Sequence, residues 1–329
     1  MPQAPGEQAR TMLNNLVRTA GRLWHDLNRG WWGNLPPIAE AQPAKARLPA
    51  HYGPLRRVVL ADEVARTLFT EYAAHRKSLR GREETGWVLL GLREAHEAVV
   101  LATLPAGTER NAGVAHVQFN SDGQALGSRI VRQADRRLTM LGVVHTHPGS
   151  LRHPSDGDFQ GDRVWVGRLR GHEGIFGIGT ADAKNGESMF AQHGKPHVHS
   201  LGPLSFSWYA LREGDGKYRP VPCELTLGPD LARPLHPLWP TIEIHADRLD
   251  RLCSQQARAQ FELVDSPQGS ALALNLPLAE PGQVVRVLLN GPEVRYFLVR
   301  DGEMLEAGIS ERHVDRGVYF LLAELAEQS

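Results

Sequence analysis

Apolar residues recur every three to four positions in the first thirty residues (Met12, Leu13, Leu16, Val17, Ala20, Leu23, Trp24, Leu27), which predicts a helix with one apolar stripe that Trp31 and Trp32 extend. Residues 33–54 hold five prolines and no period, the pattern of a linker. An apolar strand follows at 57–61, then a helix that opens with Asp62 as its cap and carries Val64, Leu68 and Tyr72 on one face. Runs 87–92 and 98–104 read as strands, and the polar segment 105–115 as an exposed loop. A second helix, capped at Ser121 or Asp122, repeats Leu126, Ile130, Ala134 and Leu138, and leads into a buried central strand at 140–144. Residues 159–169 predict a further helix, 174–181 another buried strand, and 206–211 a strand at the edge of the sheet.

Beyond residue 215 the pattern changes. A proline-rich crossing occupies 220–240 and a helix is predicted over 246–260. Strand-like runs at 261–264, 271–277, 284–289 and 294–300, joined by SPQGS, AEPGQ and NG, have the punctuation of an antiparallel meander, and a last helix spans 310–327. The fold class expected is therefore α/β (α+β): a mixed β-sheet flanked by helices, plus a C-terminal antiparallel sheet with its helix. The boundaries are 1–54 for the N-terminal helix and linker, 55–215 for the mixed domain and 216–329 for the accessory domain, in line with about two domains for 329 residues.

Composition narrows the function classes. With 41% hydrophobic and 22% charged residues the chain has a core to bury. Its 37 basic and 37 acidic residues cancel, so no global field draws it to nucleic acid or to a membrane surface, and neither is expected as a partner. Cys223 and Cys253 form no CxxC pair, there is no basic and apolar leader, and nowhere do 18 apolar residues run together; a cytoplasmic protein is the expectation.

Candidate chemistry is concentrated in GVVHTHPGSLRHPSDGD, residues 142–158, which follows a strand and packs His145, His147, Ser155 and Asp158 into 14 residues. Two histidines at i and i+2 on an extended segment project the same way, so both imidazoles can reach one ion at a strand end. The Pro/Gly-rich loop 148–154 turns the chain back so that Asp158, on the first turn of the next helix, can add an oxygen ligand. Two histidines and an aspartate leave a tetrahedral position for water, the arrangement of a catalytic zinc site with one ion per chain.

Plainer readings compete with this. An HxH pair at a strand end is commonly an exposed or satisfied pair, and Ser155 with Asp158 has capping-box spacing. Their joint register carries more weight: with 14 Ser and 15 Asp in 329 residues, Ser at +8 and Asp at +11 from His147 would coincide roughly once in 500. A second HxH, His197 and His199, lacks any such follow-up and reads as surface or core histidine. No GxSxG elbow is present, GDGKY fails as a phosphate loop, and GIFGIGTAD lacks the last glycine of a dinucleotide fingerprint.

HTHPGSLRHPSDGD resembles the HxHx7SxxD signature of the JAMM, or MPN-type (JAB-domain), zinc metallopeptidases. That family adds an upstream glutamate in a pattern close to Glu-Thr-x-Gly-x-Leu-Leu-Gly, and the chain reads ETGWVLLG at 84–91; Trp87 stands where glycine is usual, which leaves Glu83 beside the preferred Glu84. The resemblance covers about 57–211. It implies that His145, His147 and Asp158 hold Zn2+, that Glu84 acts as general base, and that Ser155 stabilises the oxyanion. It further implies hydrolysis of the amide bond after the C-terminal tail of a ubiquitin-like protein, in conjugates or a precursor. The Ala-, Arg- and Gly-rich composition is similar to that of prokaryotic members, which occur beside conjugation-pathway enzymes, and makes those enzymes candidate partners. The alternatives are a non-catalytic MPN-type scaffold and a metal hydrolase acting on a sulfur-carrier-like protein.

Overall fold

The computed structural model describes residues 51–107, 111–112, 117–181, 195–266 and 269–327, all within the unit Pro49–Ser329. The N-terminal stripe, nearly all of the linker and part of the 105–115 loop lie outside the described residues. Among the described residues no helix is long and apolar enough to cross a membrane.

Strand β1 (Arg57–Ala61) runs directly into helix α1 (Asp62–Lys77). Asp62 does not cap this helix as expected: Ala61 is the N-cap, and Asp62 Oδ1 accepts from the Gly228 N–H at 2.9 Å, fixing the helix start to a distant turn. A hairpin of β2 (Gly86–Arg93) and β3 (Glu97–Pro105) follows, then a small pair, β4 (Asn111–Ala112) and β5 (Val117–Gln118). Helix α2 (Ser121–Ala134) is capped one residue before the expected pair, by Asn120, whose side chain accepts from Gly123 N–H at 3.0 Å. After β6 (Thr139–Thr146), helix α3 (Asp156–Asp162) is much shorter than the predicted 159–169; with two glycines and no buried face it stops early, and a 3-10 turn, Val166–Arg168, takes up the apolar residues. Strands β7 (Glu173–Thr180), β8 (Val198–Leu201), β9 (Leu204–Arg212), β10 (Arg219–Pro220) and β11 (Cys223–Thr226) complete a nine-stranded sheet.

The order is β10-β9-β7-β6-β2-β3-β1-β11, with β8 also on β9, so β9 is not an edge: β8 and β10 both pair along its outer side. The pairs β6–β7, β1–β3 and β1–β11 are parallel and the others antiparallel, which makes the sheet mixed. Helix α4 (Trp239–Gln255) starts earlier than the predicted 246, because Pro240 sits in its first turn, where a missing N–H costs nothing. The second sheet is the expected meander, β12 (Gln260–Ser266), β13 (Gly269–Pro277), β14 (Gln283–Asn290) and β15 (Glu293–Arg300), with one more strand, β16 (Glu303–Glu306), and helix α5 (Val314–Glu327).

The two faces of the first sheet are buried differently. Trp87, Leu89, Val100 and Val144 pack with α1 residues Val64, Leu68 and Tyr72. On the opposite face Val88, Leu90, Leu104 and Val143 join Leu126 and Val131 of α2, Trp239 and Leu249 of α4, and Leu272 and Val287 of the second sheet in one continuous core. Gly127 allows the closest approach of the two helices, since a Cβ there would lie 2.9 Å from the Trp239 ring.

A bulge in β6 decides which face the strand's end presents. Leu89 pairs with Gly142 and Leu90 with Met140, so Leu141 is an extra residue, and the alternation is reset at that point. Met140 and Val143 therefore both face the α2 side, Leu141 and Val144 both face α1, and His145 and His147 follow Val143. Gly142 has φ +151° and its missing Cβ would lie 1.7 Å from the Ile175 carbonyl oxygen, which explains glycine at the bulge.

Candidate metal centre

His145 is the last but one residue of β6, and His147 continues the pairing, its N–H donating to the Gly179 carbonyl at 2.8 Å. Thr146 between them is locked to the start of β2: its N–H donates to Thr85 O at 2.9 Å, and its hydroxyl accepts from Thr85 N–H at 3.0 Å. The loop that follows is held by Tyr209, whose hydroxyl donates to Arg152 O at 2.8 Å. Ser155 then caps α3. The capping box is complete: Asp158 N–H donates to Ser155 Oγ at 3.2 Å, and Asp158 Oδ2 accepts from Ser155 N–H at 2.6 Å and from its hydroxyl at 2.8 Å.

These constraints bring three donors together. His145 Nε2 lies 3.1 Å from His147 Nε2 and 3.2 Å from Asp158 Oδ1, and His147 Nε2 lies 3.4 Å from Asp158 Oδ2. Among the described residues they form the one group of three or more His, Cys, Asp or Glu with ligand atoms close enough to share an ion. A tetrahedral zinc with bonds of about 2.0–2.1 Å has ligand-to-ligand edges of roughly 3.3 Å, so these separations fit that ion. His147 Nδ1 is 2.7 Å from the Leu151 carbonyl, which can only accept; the ring proton therefore sits on Nδ1, and the Nε2 lone pair faces the cluster. Two imidazole nitrogens aimed at each other inside a buried site, with a carboxylate between them, are the donor set of a cation.

Protonation equilibria express the same crowding. Burial would push the Asp158 carboxyl up, but the His145 and His147 rings beside it, with the Ser155 N–H, hold it well below the usual carboxylate range. Burial would lower His147, and is outweighed by Asp158, the Leu151 carbonyl and the charge of Glu84, so its pKa is raised. Glu84 is only 3% exposed and, because Gly86 pairs with His145, it lies across the ladder beside His147. Glu83 turns outward, its Oε2 accepting from Arg80 Nε at 2.6 Å with a third of the side chain exposed. Four of the five residues singled out in the sequence thus share one buried site with Ser155, the fifth, at its edge.

Two further groups beside the cluster were not anticipated. Asp162, one helical turn beyond Asp158, is pushed up to about 6 by burial, and its Oδ2 accepts from Tyr218 OH at 2.7 Å. Their only sequence signal is the four-residue step from Asp158, and Tyr218 belongs to the GDGKY segment that offered no motif. His197 and His199 do not form a second site: His199 Nδ1 sits 3.8 Å from Cys223 Sγ, and the His197 ring packs against Tyr209. Both cysteines are free and buried, with burial pushing each thiol up.

Residues 65–192, which contain Glu84, His145, His147, Ser155 and Asp158, match the family model described as prokaryotic homologs of the JAB domain. No curated protein matches the chain. Among solved structures, the solution structure of protein DSY2949 from Desulfitobacterium hafniense is similar at 15% identity and a TM-score of 0.32, over 52% of this chain and 94% of that one.

Proposed function

We propose, from the match of residues 65–192 to prokaryotic homologs of the JAB domain, that the chain is a zinc-dependent peptidase or isopeptidase that cuts the amide bond after the C-terminal tail of a ubiquitin-like protein. The observation that carries this reading is the convergence of His145 Nε2, His147 Nε2 and Asp158 within 3.1–3.4 Å of one another, with the Glu84 carboxylate buried beside them. Those three residues would hold zinc, which would supply Lewis-acid chemistry when bound.

The chain's own residues do the rest. Glu84, buried beside the site, accepts the proton of the attacking water and returns it to the departing amine. Ser155 donates to the oxyanion through the hydroxyl that the structure directs to Asp158 Oδ2. Leu151 keeps His147 in the tautomer that can bind metal.

The test is a matched set: a ubiquitin-like protein fused to a reporter through an amide, the same fusion with its final glycine changed to leucine, and the free tail peptide. The glycine fusion is expected to be cut at least about tenfold more efficiently than the leucine fusion, roughly 1.4 kcal/mol of transition-state binding. Equal rates on all three would mean a nonspecific peptidase. Activity on none by zinc-loaded protein would favour the scaffold.

A further inference from the structure

Helix α2 carries Arg129 and Arg132 at i and i+3 on one stripe, and Arg136 follows in the turn just after its last residue, Ala134. The stripe forms one wall of a cleft of about 800 Å³ whose opposite wall is the end of α4 and the start of β12, with Arg258 facing across. The cleft is built by the joint between the halves: Gln133 Nε2 donates to Phe261 O at 2.9 Å while Gln133 Oε1 accepts from Phe261 N–H at 2.9 Å. Four guanidinium groups meet one carboxylate, Asp250, which is 3.3 Å from Arg129. Arg132, Arg136 and Arg258 have no acidic partner among the described residues, in a chain whose total charge is zero.

A second cleft adjoins the same stretch of α2. Ala125 and Ser128 line both the first cleft and this second one, an apolar groove of about 770 Å³ that runs past Val88, Met140 and Trp165 to Asp162, one turn from the Asp158 ligand. From Ser121 to Ala134 helix α2 is about 20 Å long, the span of roughly six extended residues.

We propose that the arginine cleft binds an acidic segment of polypeptide and that this segment belongs to the substrate whose other end lies at the metal centre. Charge complementarity selects the acid, and the apolar groove beside it selects a peptide, whose side chains alternate in character, over a nucleic acid, which would need its phosphates matched along the whole path. Only the assignment to the substrate rests on the proposed peptidase function; the binding of acidic peptide stands apart from turnover.

The experiment measures fluorescence anisotropy of a labelled octaglutamate with the full chain. Binding is expected, weakening as salt is raised from 50 to 300 mM. The pair Arg132→Ala/Arg136→Ala, and independently Arg258→Glu from the opposite wall, should each raise Kd at least tenfold with unchanged circular dichroism and Tm. The pair Arg56→Ala/Arg300→Ala, which removes the same charge from exposed positions elsewhere, should leave Kd within twofold. Absence of octaglutamate binding, equal loss in the control pair, or tighter binding of an eight-nucleotide oligothymidylate would each overturn the proposal. If the cleft variants also raise KM for the ubiquitin-like fusion without changing kcat, the segment is the substrate's; octaglutamate binding with KM unmoved would overturn that assignment and leave the peptidase reading intact.

Discussion

His147 has both ring nitrogens committed, Nδ1 to the Leu151 carbonyl and Nε2 toward Asp158 and His145, so its removal takes away a ligand and the bond that shapes the loop behind it. Purified protein is expected to hold close to one zinc per chain, and His147→Ala to retain less than about a tenth of that by elemental analysis. Wild-type protein that neither contains zinc nor takes it up on reconstitution would end the catalytic reading. Glu84 lies beside the cluster without belonging to the three-ligand group. Glu84→Gln should accordingly keep the zinc and lose turnover by several orders of magnitude, whereas Glu83→Gln, which removes one surface ion pair with Arg80, should leave both unchanged. The opposite result would shift the base by one residue. Trp87, the departure from the usual glycine, has its own explanation: the ring is buried against α1, and its indole N–H donates to Glu71 Oε2 at 2.8 Å.

Element by element, the periodicity was most legible where one face alone is buried and least where tertiary contacts override it. Strand β1 and the long strands of the meander follow the alternation of their residues, and the ligand spacing could be read from the sequence because all three ligands lie on one strand and the next helix turn. The caps of α1 and α2 were misplaced because Asp62 is taken by Gly228 and Asn120 precedes a serine and an aspartate that could each have served. Strand β16 is exposed throughout and has no apolar alternation to betray it. The bulge at Leu141 was also invisible, although it is what turns His145 and His147 toward Asp158. It makes Gly142 a positional requirement. Gly142→Ala would force a methyl group to within 1.7 Å of a backbone oxygen in the middle of the sheet. Destabilisation of about 3 kcal/mol or more is expected in urea unfolding, with zinc retention falling in parallel. A variant as stable as wild type, with full zinc, would show that the strand can rearrange without losing the ligand register.

At the scale of the molecule, the crossing between the two sheets is fastened by ionisable groups whose pairing has no signature in the order of residues. His236, in the 3-10 turn Arg233–Leu238, has Nδ1 at 2.6 Å from Glu71 Oε1 and Nε2 at 2.6 Å from the Thr103 carbonyl; both partners are acceptors, so the ring is an imidazolium holding α1, β3 and the crossing together. Burial would lower its pKa, but the hydrogen bond and charge of Glu71, with the Thr103 carbonyl, raise it. For Glu71, burial would raise the carboxyl, and His236, Trp87 and Arg233 hold it down instead. The sign of the linkage follows from these directions. The His236 contribution is complete below the unfolded value near 6.5 and is lost as pH rises through the higher folded value; the Glu71 contribution is complete above about 4.5 and is lost as pH falls through its lower folded value. The pair therefore stabilises most between about pH 4.5 and 6.5. Each unit of separation between folded and unfolded pKa is worth about 1.4 kcal/mol. Unfolding free energy from urea titrations of the wild type should decline between pH 6 and 9 more steeply than that of His236→Gln, which cannot carry the charge and leaves Glu71 to Arg233 and Trp87. Because the substitution leaves the other titrating groups in place, subtracting the two curves isolates the His236–Glu71 pair, and parallel curves would mean that the ring is neutral in the folded protein and that the crossing is held by packing alone.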